Sequence, residues 1–136
     1  FKSDGIRFVS RRVESDCRAC TEARLDCISD EPYESIVYGG RKNYSIASLP
    51  EMFERTITIN SFSKTFAMTG WRVGYAVAEE SFIHAMTVMQ ESLTSSVNAA
   101  SQYAACVALK SDKACVEAMR KTYEKRAELL EKGLNV

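Results

Sequence analysis

From Val13 the apolar positions Val13, Cys17, Cys20 and Ala23 alternate with charged residues at the spacing of one helix face, which predicts a helix to about Arg24. Leu25–Ser29 reads as a short strand that ends at Asp30-Glu31-Pro32, where proline stops regular structure. Tyr33–Tyr38 predicts a turn or short strand before the break at Gly39-Gly40. Residues 41–54 read as loop, with a helical turn expected around Ser48-Leu49-Pro50-Glu51, serine capping and proline at the first helical position. Thr56–Asn60 is β-branched at every place but the last and is the strongest strand signal in the chain. A polar loop, Ser61–Lys64, is expected to follow. Gly70–Ala78 is a second strand candidate whose glycines suggest close approach of another backbone or a ligand. Beyond Glu79 the period becomes helical. Phe82, Ile83, Met86, Met89 and Leu93 form one stripe, Asn98–Leu109 an alanine-rich helix, and Asp112–Leu134 the longest helix, with Val116, Met119, Tyr123, Ala127, Leu130 and Leu134 on one face. Strands alternating with helices, then helices, predict an α/β fold.

With 136 residues, 46% of them hydrophobic and 26% charged, the chain suffices for one domain with a core. Its 18 basic and 18 acidic residues balance, so charge gives no reason to expect nucleic acid or a membrane surface as partner. No apolar run approaches the roughly 20 residues of a membrane-spanning helix, and Phe1–Arg12 does not read as a signal peptide. The five cysteines are an odd number in a chain that is neither small nor loop-rich, which argues against a disulfide framework. Cys17 and Cys20 form a C-x-x-C pair, but no second pair follows and the one histidine, His84, is far along the chain. They read as small apolar residues on a helix, and no metal is expected. Reduced cysteines point to a cytoplasmic setting.

The chemistry concentrates between Ser61 and Gly74. Lys64 stands just after the best strand, in a serine-containing segment, and Arg72 follows between Gly70 and Gly74. Ligands of open α/β sheets bind beyond the carboxyl ends of strands. Ser61, Ser63, Lys64 and Arg72 would therefore converge on one anion, the hydroxyls donating to phosphate oxygens and arginine binding them in a fork. The spacing is not that of a phosphate-binding P-loop. Spacing alone also admits a solvated loop with an incidental lysine. A single histidine and no nucleophile elbow disfavour a serine hydrolase. His84, beside Ile83 on a helix, reads as structural.

Asn60-Ser61-Phe62-Ser63-Lys64-Thr65-Phe66-Ala67-Met68-Thr69-Gly70-Trp71-Arg72-Val73-Gly74-Tyr75 resembles the cofactor-lysine signature of the class I/II aminotransferases, which are fold-type I enzymes dependent on pyridoxal 5'-phosphate (PLP). Ile28-Ser29-Asp30-Glu31-Pro32-Tyr33-Glu34 resembles the same family's segment with its pyridine-binding aspartate and tyrosine, and Tyr44–Pro50 between them also fits. The resemblance runs from about Leu25 onward and is nearest to the aspartate and aromatic aminotransferase subgroup. It implies an α/β large domain with a mixed, mostly parallel sheet flanked by helices. It further implies transamination between an amino acid and a 2-oxo acid. Lys64 would form the internal aldimine with the cofactor and shuttle a proton once released. Asp30 would pair with the pyridinium nitrogen, Tyr33 would hydrogen-bond the ring's 3-oxygen, and Ser61, Ser63 and Arg72 would hold the phosphate. Trp71, Phe62 and Phe66 read as packing residues.

Residues 1–24 depart from the family pattern apart from the helix expected from Val13. The family's upstream asparagine motif has no counterpart there, and neither the glycine-rich turn and stacking aromatic nor the carboxylate-binding arginine of the small domain is visible. The expected organisation is a divergent segment at 1–24, part of the PLP-binding large domain at 25–110, and a long helix at 111–136 leading toward a small domain. The chain reads as a fragment of a homodimeric enzyme, inactive alone. Two alternatives stay open: another PLP enzyme of this fold, such as a carbon–sulfur lyase or an aminocyclopropane-carboxylate synthase, and a non-catalytic truncated domain.

Overall fold

The computed structural model of the chain describes residues 13, 15, 17–23 and 25–134. The expected segment Phe1–Arg12 lies outside them. Residues 13, 15 and 17–23 are helical (α1), with Cys17 and Cys20 half-buried, as the spacing predicts. Three strands follow, β1 (Cys27–Asp30), β2 (Thr56–Ser61) and β3 (Gly74–Val77), in the order β1-β2-β3. β1 and β2 are parallel with Asp30 opposite Ile59, whereas β2 and β3 are antiparallel with Ser61 opposite Gly74. The sheet is thus mixed, and helices flank it: α2 (Phe62–Thr65), α3 (Glu80–Thr94), α4 (Ala99–Lys110) and α5 (Ala114–Leu134). Gly74 is required by close approach, since a Cβ there would lie 2.7 Å from the Asn60 carbonyl oxygen.

Three local expectations are corrected. Ser61–Lys64 is not a loop: Ser61 ends β2 and its hydroxyl accepts the Ser63 N–H at 3.1 Å, which caps α2 and starts a helical turn at Phe62. The strand expected from Gly70 begins only at Gly74. Thr69–Trp71 forms a 3-10 turn, and Arg72 sits in the left-handed region (φ 50°, ψ 51°), so the chain reverses before it can pair. The helical turn expected at Ser48–Glu51 falls earlier, at Ile46–Ser48. Ser48 spends its hydroxyl on the Ser45 carbonyl, and Glu51, at φ 63°, is left-handed. Of the two forms expected of Tyr33–Tyr38, a turn or a short strand, the turn is the one present.

The core joins the lysine turn to the helices. Phe62, Met68, Val73 and Ala105 are buried together, with Phe66, Val97, Ala104 and Ala108 packed around them. Asn98 caps α4 by accepting the N–H groups of Ala100 and Ser101. Ser101, buried, donates its hydroxyl to the Trp71 carbonyl at 2.9 Å, which fixes α4 to the turn before Arg72. Elsewhere apolar surface is open: Ile28 is 69% exposed and Leu134 81%. His84 lies on the exposed side of α3. Among the described residues no helix is long and apolar enough to cross a membrane.

Candidate functional site

Asp30 and Lys64 come from the carboxyl ends of the two parallel strands, Asp30 closing β1 and Lys64 following β2 by one capped turn. A helical turn such as α2 brings residues three apart to one face and turns those between them away. It buries Phe62 (2% exposed) and Thr65 and leaves Lys64 at the surface. Beneath the lysine, the Phe62 ring stacks on Phe66 at 5.5 Å and tilts against Tyr75 at 5.6 Å, so the turn has a rigid floor.

Tyr33 stands over this turn, with Lys64 Nζ 5.7 Å from its ring centroid. Together with Tyr38, Ser63, Thr69 and Tyr123 they line a cavity of about 360 Å³. The turn that carries Tyr33 is fastened below. The Glu31 carboxylate accepts the hydroxyls of Ser29 (2.8 Å) and Ser45 (2.7 Å) and the Asn43 amide (3.4 Å). Asn60, at the end of β2, donates to the Glu31 carbonyl at 3.2 Å and to the Glu34 carboxylate. Burial, followed by the charge of Glu31, pushes the Glu34 carboxyl above its ordinary value, with Lys113 opposing. The Tyr75 phenol is raised likewise, by burial first and then by Glu34 and Glu31.

On the other side of Lys64 a second group of donors gathers. Phe62 N–H donates to the Val73 carbonyl, which brings Arg72 alongside the Ser61–Ser63 turn. Thr69 donates its hydroxyl to the Ser63 carbonyl, and Arg72 Nη1 donates to the Thr69 carbonyl at 3.0 Å. That contact aims the guanidinium back toward the turn and engages one of its nitrogens. The exposed remainder of the fork suits an oxyanion.

The structure therefore brings Tyr33, Ser63 and Lys64 into one cavity and sets Ser61 and Arg72 beside it. Asp30 is not part of that cavity. Its exposed side chain lines a neighbouring one, of about 410 Å³, with Ser29, Tyr44 and Ile46. Five lining residues were not legible as such: Ile36, Tyr38, Ala67 and Thr69 between the main elements, and Tyr123. The helical stripe of α5 marks Tyr123 as a packing position, and nothing in that spacing separates a packing tyrosine from one that faces the lysine.

These groups are of the kinds that could hold PLP: an amine for its aldehyde, a phenol for its ring oxygen, and hydroxyls with a half-engaged guanidinium for its phosphate, while Asp30, outside the lysine cavity, is the carboxylate that could face its nitrogen.

A family model for aminotransferases of class I and II matches residues 17–136, reaching back through α1 ahead of Leu25. The chain is 46% identical over 133 residues to the aromatic-amino-acid aminotransferase 2 of Thermococcus litoralis, covering 96% of this chain and 34% of that protein. It is 49% identical over 116 residues to the aspartate aminotransferase of Pyrococcus abyssi, covering 84% and 30%. The crystal structure of an aromatic aminotransferase from Pyrococcus horikoshii superposes with a TM-score of 0.88 at 45% identity, over 93% of this chain and 34% of that one. This chain thus spans about a third of the length of the relatives it matches.

Proposed function

This chain belongs to the class I and II aminotransferases, and from that footing we propose that it supplies the lysine-bearing part of a PLP-dependent enzyme that moves an amino group between an amino acid and a 2-oxo acid. The observation that carries the reading is Lys64 itself: exposed on a rigid capped turn, with Tyr33 over it and hydroxyl and guanidinium donors beside it. PLP, when bound, supplies an electron sink for the pair left on the substrate's α-carbon.

The chain's own residues do the rest. Lys64 Nζ would hold the cofactor and, as a free amine, would move a proton between the substrate α-carbon and the cofactor's C4′ carbon. Asp30 keeps the ring nitrogen protonated, an interaction that strengthens as negative charge develops. Tyr33 donates its phenol proton to the ring's 3-oxygen. Ser61, Ser63 and Arg72 hold the phosphate and so fix the ring relative to Lys64. Full length, the enzyme works as a homodimer in the cytoplasm.

Borohydride reduction of the PLP-loaded protein followed by peptide mapping tests the reading. The label is expected on Lys64 and on neither Lys42 nor Lys110, and Lys64→Ala is expected to abolish turnover. A label on any other lysine overturns the assignment.

A further inference from the structure

The segment from Glu31 to Gly40 is a loop with no helix or strand of its own, yet it must hold Tyr33 in place over Lys64. Its first half is fastened by the side chains around Glu31, Asn60 and Glu34. The second half ends in Gly39-Gly40, both at positive φ (65° and 69°), with nothing within 4 Å of where a Cβ would stand on either. A glycine pair of this kind loses more conformational freedom on ordering than any other dipeptide, and side-chain packing cannot hold it.

One turn bond, Arg41 N–H to the Tyr38 carbonyl at 3.3 Å, spans the pair, and α5 holds it from more than eighty positions away in the chain. Arg120 Nη1 donates to the Val37 carbonyl at 3.2 Å, and Glu124 Oε1 accepts the Gly39 N–H at 2.7 Å. The two side chains also meet each other, Nη1 to Oε2 at 2.9 Å, so carbonyl, arginine, glutamate and amide form one closed chain of contacts. Glu117 holds the other edge of the guanidinium through Nε at 2.8 Å and Nη2 at 2.9 Å. The Gly39 N–H and Arg120 both keep the Glu124 carboxyl below its ordinary value, the backbone bond being the larger cause. Tyr123, next to Glu124 in sequence, lines the Lys64 cavity. One turn of α5 therefore both closes the cavity and grips the loop that forms its roof.

We propose that Arg120 and Glu124 are positioning residues that clasp the Val37–Gly39 backbone and thereby fix Tyr33 over Lys64. The proposal rests on the reading of Lys64 and Tyr33 as PLP-binding residues. Neither clasp residue need touch the cofactor. They act through the backbone of the loop.

The test uses the full-length protein in two readouts. The first is amide hydrogen exchange at Gly39 without cofactor. The second is the pH midpoint of the absorbance of PLP attached to Lys64, which responds to the phenol's hydrogen bond with the ring oxygen. Glu124→Ala is expected to speed Gly39 exchange about tenfold, the scale of one lost hydrogen bond. It is also expected to raise the absorbance midpoint by about half a unit, as part of the phenol's contribution is lost. Glu124→Gln keeps an acceptor for Gly39 and is expected to restore Gly39 exchange to near wild type. Thr122→Ala removes a bond to the Ala118 carbonyl within the same helix without touching Arg120, Glu124 or the loop, and is expected to leave both readouts in place. If Glu124→Ala does not fold, Arg120→Gln, which removes the Val37 bond, is expected to raise the midpoint in the same direction. Unchanged Gly39 exchange in Glu124→Ala, faster exchange with an unmoved midpoint, or an equal effect of Thr122→Ala overturns the proposal. Failure of the underlying reading looks different: wild type then carries no PLP on Lys64, while the exchange arm still reports on the clasp.

Discussion

Ser61 has two tasks that substitution can separate. Its hydroxyl oxygen accepts the Ser63 N–H at 3.1 Å and starts the turn that presents Lys64, while its hydroxyl proton is assigned to the phosphate. Ser61→Ala removes both functions. Loss of the cap is expected to cost about 1 kcal/mol of stability, a factor of about five in the folding equilibrium. Ser61→Asp keeps a capping oxygen, so its stability is expected to stay within about 0.5 kcal/mol of wild type. It also sets a negative charge against the phosphate. Two like charges about 4 Å apart at an effective dielectric near 20 repel by about 4 kcal/mol, so PLP affinity is expected to fall at least about tenfold even after solvent screening. Urea unfolding of the cofactor-free protein gives the first quantity, and fluorescence titration with PLP gives the second. A parallel titration with pyridoxal, which lacks the phosphate, isolates the cause: Ser61→Asp is expected to bind it almost as wild type does. Equal PLP affinity in Ser61→Asp and wild type would show that no anion sits beside Ser61. An unchanged unfolding free energy in Ser61→Ala would show that the cap does not hold the turn.

Asp30→Ala is expected to lower turnover at least about a hundredfold while weakening PLP binding less, because its charge matters most as the ring takes up electrons. Steady-state kinetics beside cofactor titration measures the two, and near-normal turnover in both Asp30→Ala and Asp30→Asn refutes the pyridinium role. Ser101→Ala leaves the Trp71 carbonyl without its 2.9 Å partner and is expected to cost about 1 kcal/mol in urea unfolding. Glu34 titrates higher in the folded than in the unfolded protein, so its contribution to stability is present below its ordinary value of 4.5 and is lost as pH rises through the folded value. Glu34→Gln removes that titration, and urea unfolding between about pH 4 and pH 7 is expected to show a flatter loss of stability with rising pH than wild type.

The sequence by itself determined where most of the elements lie and which residue is the candidate for the chemistry. Period decided the former: β2 is β-branched along most of its length, and the helical stripes of α3, α4 and α5 fall within a residue or two of the observed helices. The run from Asn60 to Tyr75 decided the latter, because a lysine, serines and an arginine at that spacing constitute the family's signature. Local rules missed where one side-chain bond decides the outcome. Ser61 turned an expected loop into α2, and the left-handed backbone at Arg72 shortened β3. Tertiary structure alone decided what surrounds the lysine. Only the folded chain carries α5 back to the Tyr33 loop, so the roles of Tyr123, Arg120 and Glu124 rest on contacts between positions far apart in the chain. A helical stripe records that a residue faces inward. It carries no information about which distant segment it meets, because that depends on how the elements pack and not on the period along any one of them.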